Sequence, residues 1–124
     1  MLISPGKPID VFFKEELEIL APELLFKELG NNKDLIVRKS RLSKEEINRL
    51  YYILRQKIKV VPENDFVKYR EEAIRICPDP KDITYFALAL HLKCPIWSNE
   101  KRLKEQSKIR IYATHELMEM FDNF

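Results

Sequence analysis

Three carboxylates in this chain sit where a purely solvated helix face would not place them. Glu28 lies four residues after Leu24 and three after Leu25, so it continues an apolar stripe and points inward. Asp82 is followed by Phe86, Ala89 and Leu90 at four, seven and eight residues, which puts it at the top of a buried helix face. Glu100 falls in the first turn after the run Ile96, Trp97, Ser98, with Leu103 three residues on. If the three converge, they repel each other, and at neutral pH such a group persists mainly when a hard cation compensates it. Mg²⁺ or Mn²⁺ with oxygen ligands is the natural candidate. The matching chemistry is phosphodiester hydrolysis, in which metal ions generate hydroxide from bound water, orient it in line and stabilise the leaving oxygen. No nucleophilic side chain is required.

The same positions have structural explanations that stand beside the chemical one. Asp79 and Asp82 suit a helix start, the first as a cap and the second in the positive first turn. Glu100 has the same explanation, and Glu28 could form an ion pair at the edge of the core.

The elements that must position these residues follow from the punctuation of the chain. Residues 1–6 read as a loop around Ser4, Pro5 and Gly6, and Pro8 suits the first turn of a short helix over residues 8–14. Residues 17–20 form a candidate strand. Pro22 opens a helix that fades at Gly30, Asn31 and Asn32. Ser43, with Glu46 three residues later, makes a capping box for a helix of about 14 residues carrying Ile47, Leu50, Tyr51 and Leu54. Residues 57–61 alternate and end in β-branched residues before Pro62, which favours a strand. A helix over residues 63–76 stops before Pro78. Asp79 and Pro80 then start a helix running to about Lys93. Residues 95–98 and 109–112 are short β-like runs, each followed by a helix start, at Asn99 and at Thr114.

Strands and helices alternate, which predicts an α/β fold: a three-layer α/β/α sandwich with right-handed crossovers and a short parallel central sheet. In such sheets ligands bind beyond the carboxyl ends of the strands, where the next helices begin. Helix-initial residues there are the ones to inspect, and Glu28, Asp82 and Glu100 could converge at one end of the sheet.

The 124 residues fit one compact domain. A formal net charge of +2, from 22 Lys and Arg against 20 Asp and Glu, gives no general basic bias for nucleic acid, so any phosphate-binding surface must be local. Charged residues make up 34% beside 45% hydrophobic ones, which excludes a disordered chain, and the abundance of Lys and Glu is of the kind enriched in thermophiles. Cys77 and Cys94 are too few for a disulfide scaffold and lack zinc-site spacing, so both read as buried free thiols. No apolar run approaches the roughly 20 residues of a membrane helix, and no signal peptide is visible. A cytoplasmic protein without membrane association is expected. His91 and His115 read as surface residues rather than as a general base.

The order and wording of the second half add a family resemblance. The segment "DPKDITYFALALHLKCPIWSNEKRL" resembles the two adjacent motifs of PIN domains, in which an Asp opens a helix rich in small apolar residues. A short strand and a Thr/Ser-x-Asp sequence follow there. The matching positions here are Asp82, Ser98 and Glu100. Upstream, "ILAPELLFKELGNNKD" resembles the family's strand, Pro and helix with an inward acid, which maps onto Glu28. The resemblance spans nearly the whole chain from Ser4 onward.

The resemblance implies a PIN-type, metal-dependent RNA endonuclease. Glu28, Asp82 and Glu100 would be its catalytic acids and ligands of Mg²⁺ or Mn²⁺. Ser98 would support the ligand sphere, Asn99 would help cap the helix that presents Glu100, and Asp79 is a further candidate acid. Lys101, Arg102 and Lys104, with Arg38, Lys39 and Arg41, are candidates for holding phosphates. RNA, an antitoxin or other protein partner, and a homodimer are the implied partners, since many prokaryotic members are toxins or RNA-processing enzymes. Two departures qualify this expectation. Glu stands at position 100 where the family usually has Asp. The family's first buried strand ending in Asp is missing, and Met1 to Ser4 resemble the segment just after it, so residues 1–124 read as a single PIN-like domain truncated at its N-terminus. That departure leaves a second expectation, a catalytically inactive PIN-like module that binds RNA or protein.

Overall fold

The structure, a computed structural model, describes residues 18–32, 38 and 42–122. The loop expected over residues 1–6 and the helix expected over 8–14 lie outside the described residues. Strand β1 (Leu20–Pro22) leads directly into helix α1 (Glu23–Asn31). The extended backbone of Pro22, with φ −75° and ψ 162°, makes the corner, so this proline precedes the helix instead of occupying its first turn. Helix α2 (Lys44–Lys57) starts at the expected capping box: the Glu46 N–H donates to Ser43 Oγ at 3.1 Å, and the Ser43 N–H donates to Glu46 Oε1 at 3.2 Å. Strand β2 (Lys59–Val61) follows, its two valines suited to a pleated surface.

The helix expected over residues 63–76 is only partly helical in the α sense. Glu63–Asp65 and Val67–Tyr69 form 3₁₀ turns, and helix α3 covers Arg70–Ile76. Likewise Pro80–Asp82 is a 3₁₀ turn that feeds helix α4 (Ile83–Leu92). Strands β3 (Ile96–Trp97) and β4 (Ile111–Tyr112) flank a 3₁₀ turn over Lys101–Glu105, and helix α5 covers Thr114–Asp122.

All strand pairing among the described residues is parallel, as the α/β reading requires. β1 pairs with β2 in the register Leu20–Lys59, Ala21–Val60, Pro22–Val61, and β3 pairs with β4 in the register Ile96–Ile111, Trp97–Tyr112. These two pairs are separate two-stranded sheets. An apolar slot of about 370 Å³ is lined jointly by Leu20 and Ala21 of β1, Ile96 and Trp97 of β3, and Tyr85 and Leu88 of α4.

The core divides along the same line. One cluster gathers Ile19, Ala21, Leu25, Phe26, Leu54 and Ile58 around β1, α1 and α2. The other joins Phe66, Ala73, Leu103, Ile109 and Ile111 to four successive residues of α4, Phe86 to Ala89. Four consecutive buried residues leave no solvated face in that stretch, so α4 is packed on all sides. Cys77 and Cys94 are free but only half-buried, because each lies in a connection at a helix end.

Phe86 is fully buried in the larger cluster. Truncation by Phe86→Ala is expected to remove about 3–5 kcal/mol of stability. Urea unfolding followed by circular dichroism would show a lower midpoint with an unchanged slope.

Candidate metal centre

The carboxylates come from three places: Glu28 from within α1, Asp79 and Asp82 from the connection between α3 and α4, and Glu100 from the turn after β3. Asp79 and Asp82 flank the 3₁₀ turn before α4, and they divide the work of that turn unequally. Asp79 Oδ1 accepts from the Lys81 N–H at 3.2 Å and so caps the turn. Asp82 occupies the cap position of α4, yet its side chain makes no capping hydrogen bond. Capping therefore explains Asp79 and leaves the Asp82 carboxylate without a structural role of that kind.

Glu28 lies on α1, half-buried on the face carrying buried Leu25. Its pKa is raised, chiefly by burial and further by the negative charge of Asp82. Asp82 is also half-buried, and its pKa is raised by burial first, then by Asp79 and Glu100. Asp82 is thus the shared member: Glu28 feels it from one side and Glu100 acts on it from the other. The charge of Lys81 opposes both shifts. Its Nζ lies 3.6 Å from Asp79 Oδ2 and 3.9 Å from Glu100 Oε2.

Glu100 reaches this place through a backbone clamp. Its N–H donates to Ser98 Oγ at 3.1 Å, so the serine shapes the turn that presents it. Asn99 does not cap the Glu100 turn as expected; its Oδ1 accepts from the Thr114 N–H at 2.8 Å and caps α5. Trp97 Nε1 donates to Thr114 Oγ1 at 3.0 Å, fastening the same corner to α5. Glu100 itself precedes the 3₁₀ turn over Lys101–Glu105 and is exposed, with 45% of its side-chain surface accessible.

Tyr85, one helical turn beyond Asp82, was not singled out by the sequence. Its hydroxyl is buried with no hydrogen bond of normal geometry, although it lies near enough to Glu28 to draw that carboxyl's pKa down. Burial, then the charges of Glu28 and Asp82, push the phenol well above its usual range. The i, i+3 spacing from Asp82 was the available signal, masked because a tyrosine on an apolar helix face is ordinary core.

The donors are hard carboxylate oxygens of the kind Mg²⁺ and Mn²⁺ take. Among the described residues, however, no group of three His, Cys, Asp or Glu side chains is arranged to hold a metal ion. The set fits a cation in chemistry and charge but is not closed around one. Of the basic candidates, Lys101 and Arg102 are exposed beside Glu100, and Arg38 is exposed. Lys104 is tied to Glu116 by an ion pair, while Lys39 and Arg41 lie outside the described residues.

A parallel α/β fold in which acids from α1, the start of α4 and the turn after β3 influence one another defines the class. Within it, the PIN domain family model matches residues 1–117, and the chain belongs to the PIN domain family. PIN domains are in general divalent-metal-dependent nucleases that act on RNA. No curated protein and no solved structure is significantly similar to the chain. No helix among the described residues is long and apolar enough to cross a membrane.

The raised pKa of Asp82 has a consequence for pH. A carboxyl whose folded pKa exceeds its unfolded value is held more tightly as the acid in the folded state, so its ionisation costs stability. That cost is absent below the ordinary Asp value of 3.8 and is complete once the pH passes the raised folded value. Without divalent cations, Asp82→Asn is therefore expected to raise Tm slightly at neutral pH and to leave it unchanged at pH near 3. Scanning calorimetry at both pH values checks this, and salt should shrink the difference because the group is half-exposed.

Proposed function

We propose that this chain carries the metal-dependent RNA endonuclease centre of its family, with Glu28, Asp82 and Glu100 as the acids that hold Mg²⁺ or Mn²⁺. The observation that supports this reading is the crowding of negative charge around Asp82. Asp82 and Glu28 are half-buried carboxylates with raised pKa values, Asp82 adds to the shift of Glu28 while Asp79 and Glu100 add to that of Asp82, and no capping role accounts for Asp82. Such an arrangement costs stability unless a cation neutralises it. Bound there, the metal would supply a hydroxide and charge stabilisation for phosphodiester hydrolysis. Ser98 shapes the turn that brings Glu100 to the site. Thermal unfolding tests the reading: saturating Mn²⁺ should raise Tm for the wild type, by the equivalent of about 2.7 kcal/mol at a hundredfold excess over Kd. Asp82→Asn should abolish that gain, and an absent metal effect on the wild type would sink the proposal.

A second reading, a binding module without cleavage, is favoured by the separation of the two strand pairs and by the incomplete ligand set. The family's first strand is normally central and ends in an acid. The slot shared by β1 and β3 has the apolar lining that such a strand would need. On this reading the slot is a seat that an added acidic strand could fill. Appending an apolar strand ending in Asp-Thr-Asn ahead of Met1 should then raise both Tm and Mn²⁺ affinity, read by calorimetry. Equal values with and without the extension would argue that the slot has no such role. RNA cleavage by the chain as it stands, lost in Asp82→Asn, would exclude the silent module.

A further inference from the structure

The end of α4 remote from the carboxylates carries a second charged feature. A pocket of about 410 Å³ there is lined by Lys93, Lys108 and Arg110 together with Tyr112 and the buried residues Ala89 and Ile109. None of the described residues lining it is acidic. All three cations are exposed, and none forms an ion pair with a described residue. The Arg110 guanidinium carbon lies 5.7 Å from the centroid of the Tyr112 ring, and Nη1 donates to the Tyr112 hydroxyl at 3.5 Å. A planar cation is thereby held against an aromatic face.

Lys93 supplies an independent observation. It closes α4 in the left-handed conformation, at φ 55° and ψ 45°, and among the described residues no other non-glycine has positive φ. Glycine is the usual occupant of that position because it has no Cβ to clash. A lysine there keeps a positive charge at the pocket against a backbone cost, and backbone outliers of this type gather at functional sites.

Three free cations bordering an aromatic ring and an apolar lining match the requirements of a single-stranded nucleic acid. Cations take the phosphates, while tyrosine and guanidinium planes stack bases. We propose that this pocket is a subsite for single-stranded RNA, with Lys93, Lys108 and Arg110 each contacting a backbone phosphate and the Arg110–Tyr112 pair stacking a base. The ten residues of α4 separate it from Asp82 by about 15 Å. It therefore receives nucleotides that flank the one at the carboxylates. The inference rests on the RNA reading above and extends it to a second surface.

The test is fluorescence anisotropy of a labelled single-stranded oligoribonucleotide across a salt series, with EDTA present so that nothing is cleaved. The double variant Lys93→Gly/Lys108→Ala is informative because glycine relieves the strained cap, so lost binding cannot be attributed to unfolding. Affinity at low salt should fall about tenfold, and the salt slope should shrink by about 1.4, at about 0.7 per lost phosphate contact. Tyr112→Leu should weaken binding while leaving the slope unchanged, with circular dichroism confirming the fold. Wild-type affinity and slope in the double variant would overturn the subsite and leave the RNA reading intact. Undiminished affinity in Tyr112→Leu would also overturn it, since stacking would then be absent. Failure of the wild type to bind RNA at low salt would overturn both readings together.

Discussion

Burial of helix α4 on every side is the constraint from which the rest of the arrangement follows. Its run of Phe86, Ala87, Leu88 and Ala89 has no polar face to give to water, so β1, α3 and the β3–β4 side must all close on it. A helix so enclosed can carry charge only at its ends. Asp82 stands at one end and Lys93 at the other, and the two differ in sign and in surroundings. The acidic end meets Glu28 from α1 and Glu100 from the turn after β3. The basic end meets Lys108 and Arg110 at the start of β4.

Charge at the acidic end is unevenly managed. Lys81 reaches Asp79 and Glu100, while Glu28 and Asp82 keep raised pKa values from their burial and their proximity. The buried Tyr85 hydroxyl adds a polar atom without a regular hydrogen bond in the same place, which is uncommon in a settled interior. Half-buried carboxylates with raised pKa values beside a buried phenol without a regular hydrogen bond add nothing to the stability of the chain. The family to which the chain belongs consists in general of metal-dependent nucleases.

The two strand pairs show how closely site and sheet are connected. β1 presents α1 and hence Glu28; β3 presents the Ser98 turn and hence Glu100. Since β1 and β3 belong to different two-stranded sheets, no backbone ladder among the described residues fixes the distance between these acids. Side-chain packing does so, through α4 against both pairs and Trp97 against the cluster around β1. The open arrangement of the carboxylates follows from that looser connection.

Local chemistry was legible without coordinates. The Ser43–Glu46 capping box, the Asp79–Pro80 turn and the parallel α/β alternation all rest on interactions within a few residues, and each appears where the sequence placed it. The inward position of Glu28 also followed from helical spacing. Other features depended on parts of the chain far apart in sequence. Asp79 reads as a cap and Asp82 as a first-turn acid from the sequence, but the closeness of Asp82 to Glu28 emerges only once α1 is in place. Asn99 caps α5 because the β3–β4 pairing brings Thr114 to it. Tyr85 carried only a masked signal in its spacing from Asp82, and Lys93 and Arg110 gave none, since their roles depend on a backbone conformation and a neighbouring ring. Sequence by itself determined most of the elements and the helical face on which Glu28 lies, because short-range spacing encodes both. The tertiary structure alone decided which charges meet, because Coulomb interactions depend on distances that only packing sets.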